Sequence, residues 1–176
     1  EEPEQFKACS FPYSGKLLVN AGPGAGKTKV LIMRAAHLIH HQGLKPEQVL
    51  ILAFNRAVVH EIKVRIKQLF DGLGYGAYVR RLKVRTFHAF ALEHWDVDDD
   101  FDINTIFQQF AQRCSADETF ARQVSGGIKS ILVDEFQDMD ENRFKLLKAI
   151  QAASGAGLMV IGDDDQDVLR WNREDN

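Results

Sequence analysis

Cysteine is scarce in this 176-residue chain: Cys9 and Cys114 are the only two. That argues against a disulfide-stapled scaffold and fits a reducing compartment. Long apolar runs are also missing. The longest aliphatic-rich stretches, such as Val49 to Phe54, fall far short of the roughly 20 residues a membrane-spanning helix needs. The start, Glu1-Glu2-Pro3-Glu4, is acidic and has no secretory signal pattern. Together these absences predict a cytoplasmic location, away from any membrane. An initiating Met is lacking too, so the chain reads as an excised or processed piece. Disorder is disfavoured, because twelve Phe and many Leu, Ile and Val are spread along the sequence. One domain with a full core is the natural expectation at this length.

Net charge is small, with 22 basic against 25 acidic residues, but its distribution is uneven. Between Phe54 and His88 stand Arg56, Lys63, Arg65, Lys67, Arg80, Arg81, Lys83 and Arg85, opposed only by Glu61 and Asp71. From Glu93 to Asp175 the balance reverses, with 19 acidic and 8 basic residues. A local basic stretch attracts phosphate backbones even in an acidic chain, although a solvated helix face and a charged strand edge explain it equally well.

Short apolar runs alternate with helical periodicity. Leu17 to Asn20, Val49 to Phe54, Leu82 to Thr86, Ser130 to Asp134 and Leu158 to Gly162 read as strands. Gly26 to His41, Ala57 to Phe70 and Glu141 to Ala153 read as amphipathic helices. Between Ala91 and Gly127 the pattern changes: an acidic loop at Asp98-Asp99-Asp100, a short helix after Asn104, and a second helix opened by the capping-box pattern Ser115-Ala116-Asp117-Glu118. Alternating strands and helices predict an α/β fold, a mainly parallel sheet covered by helices on both faces. Ligands of such sheets lie at the carboxyl ends of the strands.

The segment Ala21-Gly22-Pro23-Gly24-Ala25-Gly26-Lys27-Thr28 follows a strand and opens a helix, which is the context of a phosphate-binding loop. Its backbone N–H groups and the helix N-terminus suit phosphate oxygens, and Lys29 extends the candidate nucleotide contacts by one residue. Lys27 is expected to reach the β and γ phosphates of ATP, and the Thr28 hydroxyl to ligate Mg²⁺. Ala21 stands where the strict pattern has Gly. The bland alternative is a glycine-rich turn. Asp134-Glu135 closes a strand and is expected to face this loop across neighbouring strand ends. Asp134 fits the Mg²⁺-coordinating acid, and Glu135 the base that deprotonates the attacking water, against the alternative of a solvated turn.

Four further segments carry a family resemblance: Pro3-Glu4-Gln5, Thr86-Phe87-His88-Ala89-Phe90, Asp134-Glu135-Phe136-Gln137-Asp138 and Gly162-Asp163-Asp164-Asp165-Gln166. With the phosphate loop they resemble the UvrD/Rep-like superfamily 1 DNA helicases, from about Gln5 to Trp171. The resemblance implies a RecA-like P-loop NTPase domain, the N-terminal motor half of an ATP-dependent DNA helicase or translocase. It implies that Gln5 reads adenine and that Gln166 senses the γ-phosphate. It implies single-stranded DNA contacts by Asn55, Arg56, Thr86, Phe87 and His88, with Trp171 stacking on a base. Taken alone, Gln5 would be an exposed polar residue, His88 a buried structural histidine and Trp171 a core aromatic.

The departures are Leu169 and Asn172, where the family has Tyr and Arg, and a shift of Phe54 by one position. The 37 residues from Ala91 to Gly127 read as a reduced accessory element. The partner implied besides DNA is a second RecA-like domain, which the chain does not contain. A nucleotide-binding fragment without turnover of its own and a non-helicase P-loop ATPase remain the alternatives. His37 and His41 lie at i and i+4 on a helix, but no third metal ligand is evident.

Overall fold

Strict alternation along the central strands builds two cores at once. In β2 (Val49–Ala53), β4 (Ser130–Val133) and β5 (Gly157–Gly162) every residue is buried. Leu50, Leu52, Ile131, Val133, Leu158 and Val160 enter the core on one face, while Ile51, Leu132, Met159 and Ile161 enter the core on the other. Burial on both faces is what a parallel sheet covered by helices requires. The computed structural model describes residues 3–22, 26–96 and 102–163.

The sheet has five strands in the order β1-β5-β4-β2-β3, all parallel, with β1 at Lys16–Asn20 and β3 at Lys83–Thr86. Asn20 pairs with Gly162, Leu52 with Val133, and Ala53 with Thr86, so the strand ends line up along one edge. β5 intervenes between β1 and β4. The strand carrying Asp134 is therefore one strand removed from the phosphate-loop strand.

Helices α1 (Pro3–Ser10), α2 (Lys27–His40) and α3 (Arg56–Gly72) feed one core through Cys9, Leu31, Leu38, Ile62, Ile66 and Phe70. Helices α4 (Phe87–Leu92), α5 (Ile103–Ala116), α6 (Glu118–Val124) and α7 (Glu141–Ser154) feed the other through Phe90, Phe107, Phe110, Val124, Leu147 and Ile150. The α5–α6 pair thus shares the core of the sheet. Cys114 lies within it, its thiol pushed up to about 12 by burial, so it is not a nucleophile.

Three sequence expectations change here. The helix placed after Asn104 is 14 residues long and starts at Ile103, because Asp102 caps it by accepting from the Thr105 N–H at 2.9 Å. Ser115 does not open the next helix; it lies inside α5. Asp117 is the cap, accepting from the Phe120 N–H at 3.0 Å. Helix α1 and the short α4 were not expected. α1 is held by Arg34 on α2, a buried guanidinium that donates to the carbonyls of Cys9 (2.9 Å), Phe11 and Pro12 (3.2 Å). Burial lowers its pKa to about 10, which still leaves it charged. Gln42 adds a bond to the Phe11 carbonyl at 2.9 Å and accepts from the Tyr13 N–H at 2.7 Å. Among the described residues no helix is long and apolar enough to cross a membrane.

Candidate nucleotide and nucleic-acid site

The carboxyl edge of the sheet gathers the polar motifs. At the end of β1 the ladder continues one step into the loop, with the Ala21 N–H donating to the Gly162 carbonyl at 3.0 Å. Gly22 follows in open space. Pro23, Gly24 and Ala25 lie outside the described residues. Gly26 takes a left-handed backbone, φ 77°, and turns the chain into α2, a conformation that any side chain would strain. Lys27, Thr28 and Lys29 form the first turn of α2. The Lys27 ammonium lies 3.0 Å from Glu135 Oε2, with only 14% of its side chain exposed. A helix N-terminus, a lysine and a facing carboxylate are thus in one place although 108 residues separate the two side chains.

Asp134 is almost wholly buried, 1% exposed. Its Oδ1 accepts from the Glu135 N–H at 2.9 Å. Burial raises its pKa, the neighbouring Glu135 carboxylate adds to the rise, and the Glu135 N–H and Lys27 oppose it. A desolvated carboxylate of this kind is short of positive charge, which fits a divalent cation held beside it. Glu135 is the one non-glycine residue with positive φ among the described residues, at 51°. That backbone costs about 1 kcal/mol or more and is found where function over-determines the geometry.

The Glu135 carboxylate has a second partner: the Gln137 side-chain amide donates to the same Oε2 that Lys27 contacts. The other end of that amide, Oε1, accepts from the Asp163 N–H at 3.0 Å. Gln137 therefore ties the end of β4 to the end of β5. Gly162 makes this possible, because a Cβ there would stand 2.8 Å from Gln137 Oε1. Gln166, expected just beyond, lies outside the described residues.

Gln5 is half-buried on α1. The following residue, Phe6, lines a cavity of about 590 Å³ with Cys9 of α1 and Lys29 and Met33 of α2. Further along that cavity the rings of His37 and His41 lie tilted against each other, with centroids 4.8 Å apart. No group of three or more His, Cys, Asp or Glu among the described residues is placed to hold a metal ion.

The residues expected to touch DNA fall at the ends of β2 and β3 and have mixed environments. Arg56 is exposed at the start of α3. Asn55 is exposed, and its side chain caps α3 by accepting from the Val58 N–H at 2.9 Å. Thr86 caps α4 in the same way, accepting from the Ala89 N–H at 3.0 Å, and is buried. Phe87 is fully buried and packs against Phe54, ring centroids 5.4 Å apart. The Thr86 and Phe87 side chains are thus turned inward, with Phe87 packed beneath Phe54. His88 is half-buried against Phe107, with centroids 4.6 Å apart. Burial lowers its pKa, Arg143 lowers it further, and a hydrogen bond with Asn104 acts in the opposite sense. Trp171 lies outside the described residues, as do Leu169 and Asn172.

The family model of the UvrD/REP helicase N-terminal domain matches residues 1–96 and 92–176. The chain belongs to this family. A putative ATP-dependent DNA helicase YjcD of Bacillus subtilis is 45% identical over 86 residues, 49% of this chain and 11% of that protein. DNA helicase IV of Escherichia coli is 42% identical over 76 residues, 43% of this chain and 10% of that protein. The ATP-dependent DNA helicase SRS2 of Saccharomyces cerevisiae is 30% identical over 123 residues, 62% and 10%. The chain spans about a tenth of the length of these relatives.

Two side chains at the family site escaped the sequence reading. Gln137 was visible inside Asp-Glu-Phe-Gln-Asp, but its spacing gave no hint that it reaches across to β5. Arg143, on the first turn of α7, places its guanidinium 5.3 Å from the Phe54 ring and 6.0 Å from the Phe107 ring while pairing with Asp140. Nothing in the local sequence marks it, because the contact joins residues far apart in the chain.

Proposed function

We propose that this domain binds MgATP at the carboxyl ends of β1, β5 and β4, and single-stranded DNA at the ends of β2 and β3. Paired with a second RecA-like domain, it couples ATP hydrolysis to movement along DNA. The observation that carries the reading is the Lys27–Glu135 pair at the mouth of the phosphate loop. An ammonium and a carboxylate joined there hold the space that a triphosphate would enter.

Phosphate oxygens attract Lys27 away from Glu135, because a polyanion is the stronger partner for a helix N-terminal lysine. Glu135 is then released to accept a proton from the attacking water. Gln137 keeps the freed carboxylate aimed, since its amide still donates to Oε2 while Asp163 fixes its other end. Thr28 and Asp134 are the residues that would hold Mg²⁺, which supplies charge neutralisation on the phosphates. Gln5 and Lys29 border the α1–α2 region toward which the adenine end is assigned, and Arg34 fixes the arm that carries Gln5. On the DNA side, Asn55, Arg56 and His88 offer side chains to the strand, and Thr86 and Phe87 contribute the turn that carries His88. Gln166 and Trp171 keep the roles implied by the family motifs. The 37-residue stretch from Ala91 to Gly127, with α5 and α6 in the common core, is a reduced accessory element of the same domain. The length of the relatives supports a larger parent protein in which the second motor domain resides.

The test is equilibrium binding of a fluorescent ATP analogue with Mg²⁺. Binding is expected for the wild-type chain, and Lys27→Ala is expected to weaken it about tenfold or more, the value of one charge-assisted contact. Equal binding by Lys27→Ala would remove the phosphate loop from the reading.

A further inference from the structure

The basic stretch between Phe54 and His88 is only partly used by the site above. Arg56, His60, Lys63 and Lys67 recur on α3 at spacings of four, three and four, which puts them on one face of the helix. From Arg56 at the candidate DNA contacts this stripe descends about 16 Å along α3, away from the carboxyl edge of the sheet. It does not face open solvent alone. Lys63 and Lys67 form one wall of a groove of about 440 Å³ whose opposite wall is Arg80 and Arg85. Val64 and Leu82 contribute apolar surface between the two walls.

The charges in this groove are weakly committed. Lys63 and Arg80 make no ion pair among the described residues. Lys67 pairs with Asp71 and Arg85 with Glu93, both at the surface. Exposed pairs contribute about 0–1 kcal/mol, so a row of phosphates displaces them at little cost. Two facing rows of cations, continuous at one end with Asn55 and Arg56, match a chain of regularly spaced negative charges better than a compact anion. Arg guanidinium planes and an apolar floor also suit the sugars and bases of a strand lying in the groove.

We propose that the α3–β3 groove is a second nucleic-acid contact surface, which takes the phosphate backbone of DNA leaving the primary contacts at Asn55, Arg56 and His88. The proposal rests on the DNA side of the proposed function. It assigns binding energy to residues outside the helicase motifs: Lys63, Lys67, Arg80 and Arg85.

The test compares two DNA lengths by fluorescence anisotropy over a range of salt concentrations. A single strand of about eight nucleotides occupies only the primary contacts, and one of about thirty also reaches the groove. The variant carries Lys63→Gln, Lys67→Gln and Arg80→Gln, all at exposed positions, with its fold checked by circular dichroism. For the long strand the slope of log K against log salt is expected to be shallower by about two to three, at roughly 0.7–0.9 for each phosphate no longer neutralised. Binding of the short strand is expected to match the wild type. Equal slopes for variant and wild type on the long strand overturn the groove, as does an equal loss on both lengths. A wild-type chain whose short-strand binding ignores Asn55→Ala and His88→Ala fails a different claim, that of the primary site, and the long-strand slopes still decide the groove. Retained DNA slopes with binding of an acidic peptide also count against the proposal.

Discussion

Asp134 and Gln137 show how single side chains set the chemistry of this edge. Burial favours the protonated form of Asp134, so its carboxylate is held at a cost. A carboxyl group whose folded pKa is raised stabilises the fold below its ordinary pKa, and that contribution is lost as pH rises through the raised value. Above that value the nucleotide-free domain therefore carries a cost, and Asp134→Asn removes it while keeping an oxygen for the Glu135 N–H. The variant is expected to melt higher without nucleotide, by roughly 2–4 °C for each kcal/mol at this size. With the proposed Mg²⁺ ligand gone, MgATP is also expected to stabilise the variant less than the wild type. A lower melting temperature in thermal denaturation would contradict this. For Gln137, replacement by Leu removes one hydrogen bond to a charged group, about 1.5–3 kcal/mol. Turnover by the full protein should fall about tenfold to hundredfold with nucleotide affinity kept, because Gln137 aims Glu135 and does not touch the phosphates. An unchanged kcat, or a rise in KM alone, would remove it from that role.

At the scale of elements, the central strands were legible because they are short, nearly unbroken apolar runs, and α2, α3 and α7 because their apolar faces recur at helical period. Two helices were not. α1 has only eight residues, and its position depends on partners more than 20 residues away, chiefly the buried Arg34. Cutting that tie is therefore expected to act on α1 selectively. Arg34→Met removes a donor from the Cys9, Phe11 and Pro12 carbonyls, of which Phe11 keeps Gln42 and Pro12 keeps the Gly15 N–H, at a cost of about 1–3 kcal/mol in all. Amide hydrogen exchange should accelerate in residues 4–13 before it does in β2 or β4, and uniform exchange across the domain would count against the tie. The six residues of α4 begin at the Thr86 cap, and their aromatic character reads equally well as a continuation of β3. The Ser115 capping pattern misled for a related reason: Ser115 and Asp117 both suit a cap, and α5 runs on until Asp117 takes the role. The candidate nucleotide site was legible because Gly26, Lys27, Asp134 and Glu135 each follow a strand end. That Thr86 and Phe87 turn their side chains inward was not legible, because a motif in sequence does not say which of its side chains face the core.

Across the whole molecule, the carboxyl edge of one parallel sheet brings the proposed nucleotide half and the proposed nucleic-acid half within a few strands of each other. Asp134 closes the nucleotide half, and a short turn later the same segment enters α7, whose Arg143 lies against Phe54 in the other half. The register of β4 between β5 and β2 is thus the physical link between the two halves. The proposed base is Glu135, released when Lys27 turns to phosphate. The most direct measurement is steady-state ATP hydrolysis, with and without single-stranded DNA, by the protein containing this domain, wild type against Glu135→Gln. The variant is expected to bind MgATP at least as tightly as the wild type, since a neutral amide holds the Lys27 ammonium less strongly than a carboxylate, while turnover falls about 10²- to 10⁴-fold. Hydrolysis by Glu135→Gln at the wild-type rate would contradict this role of Glu135.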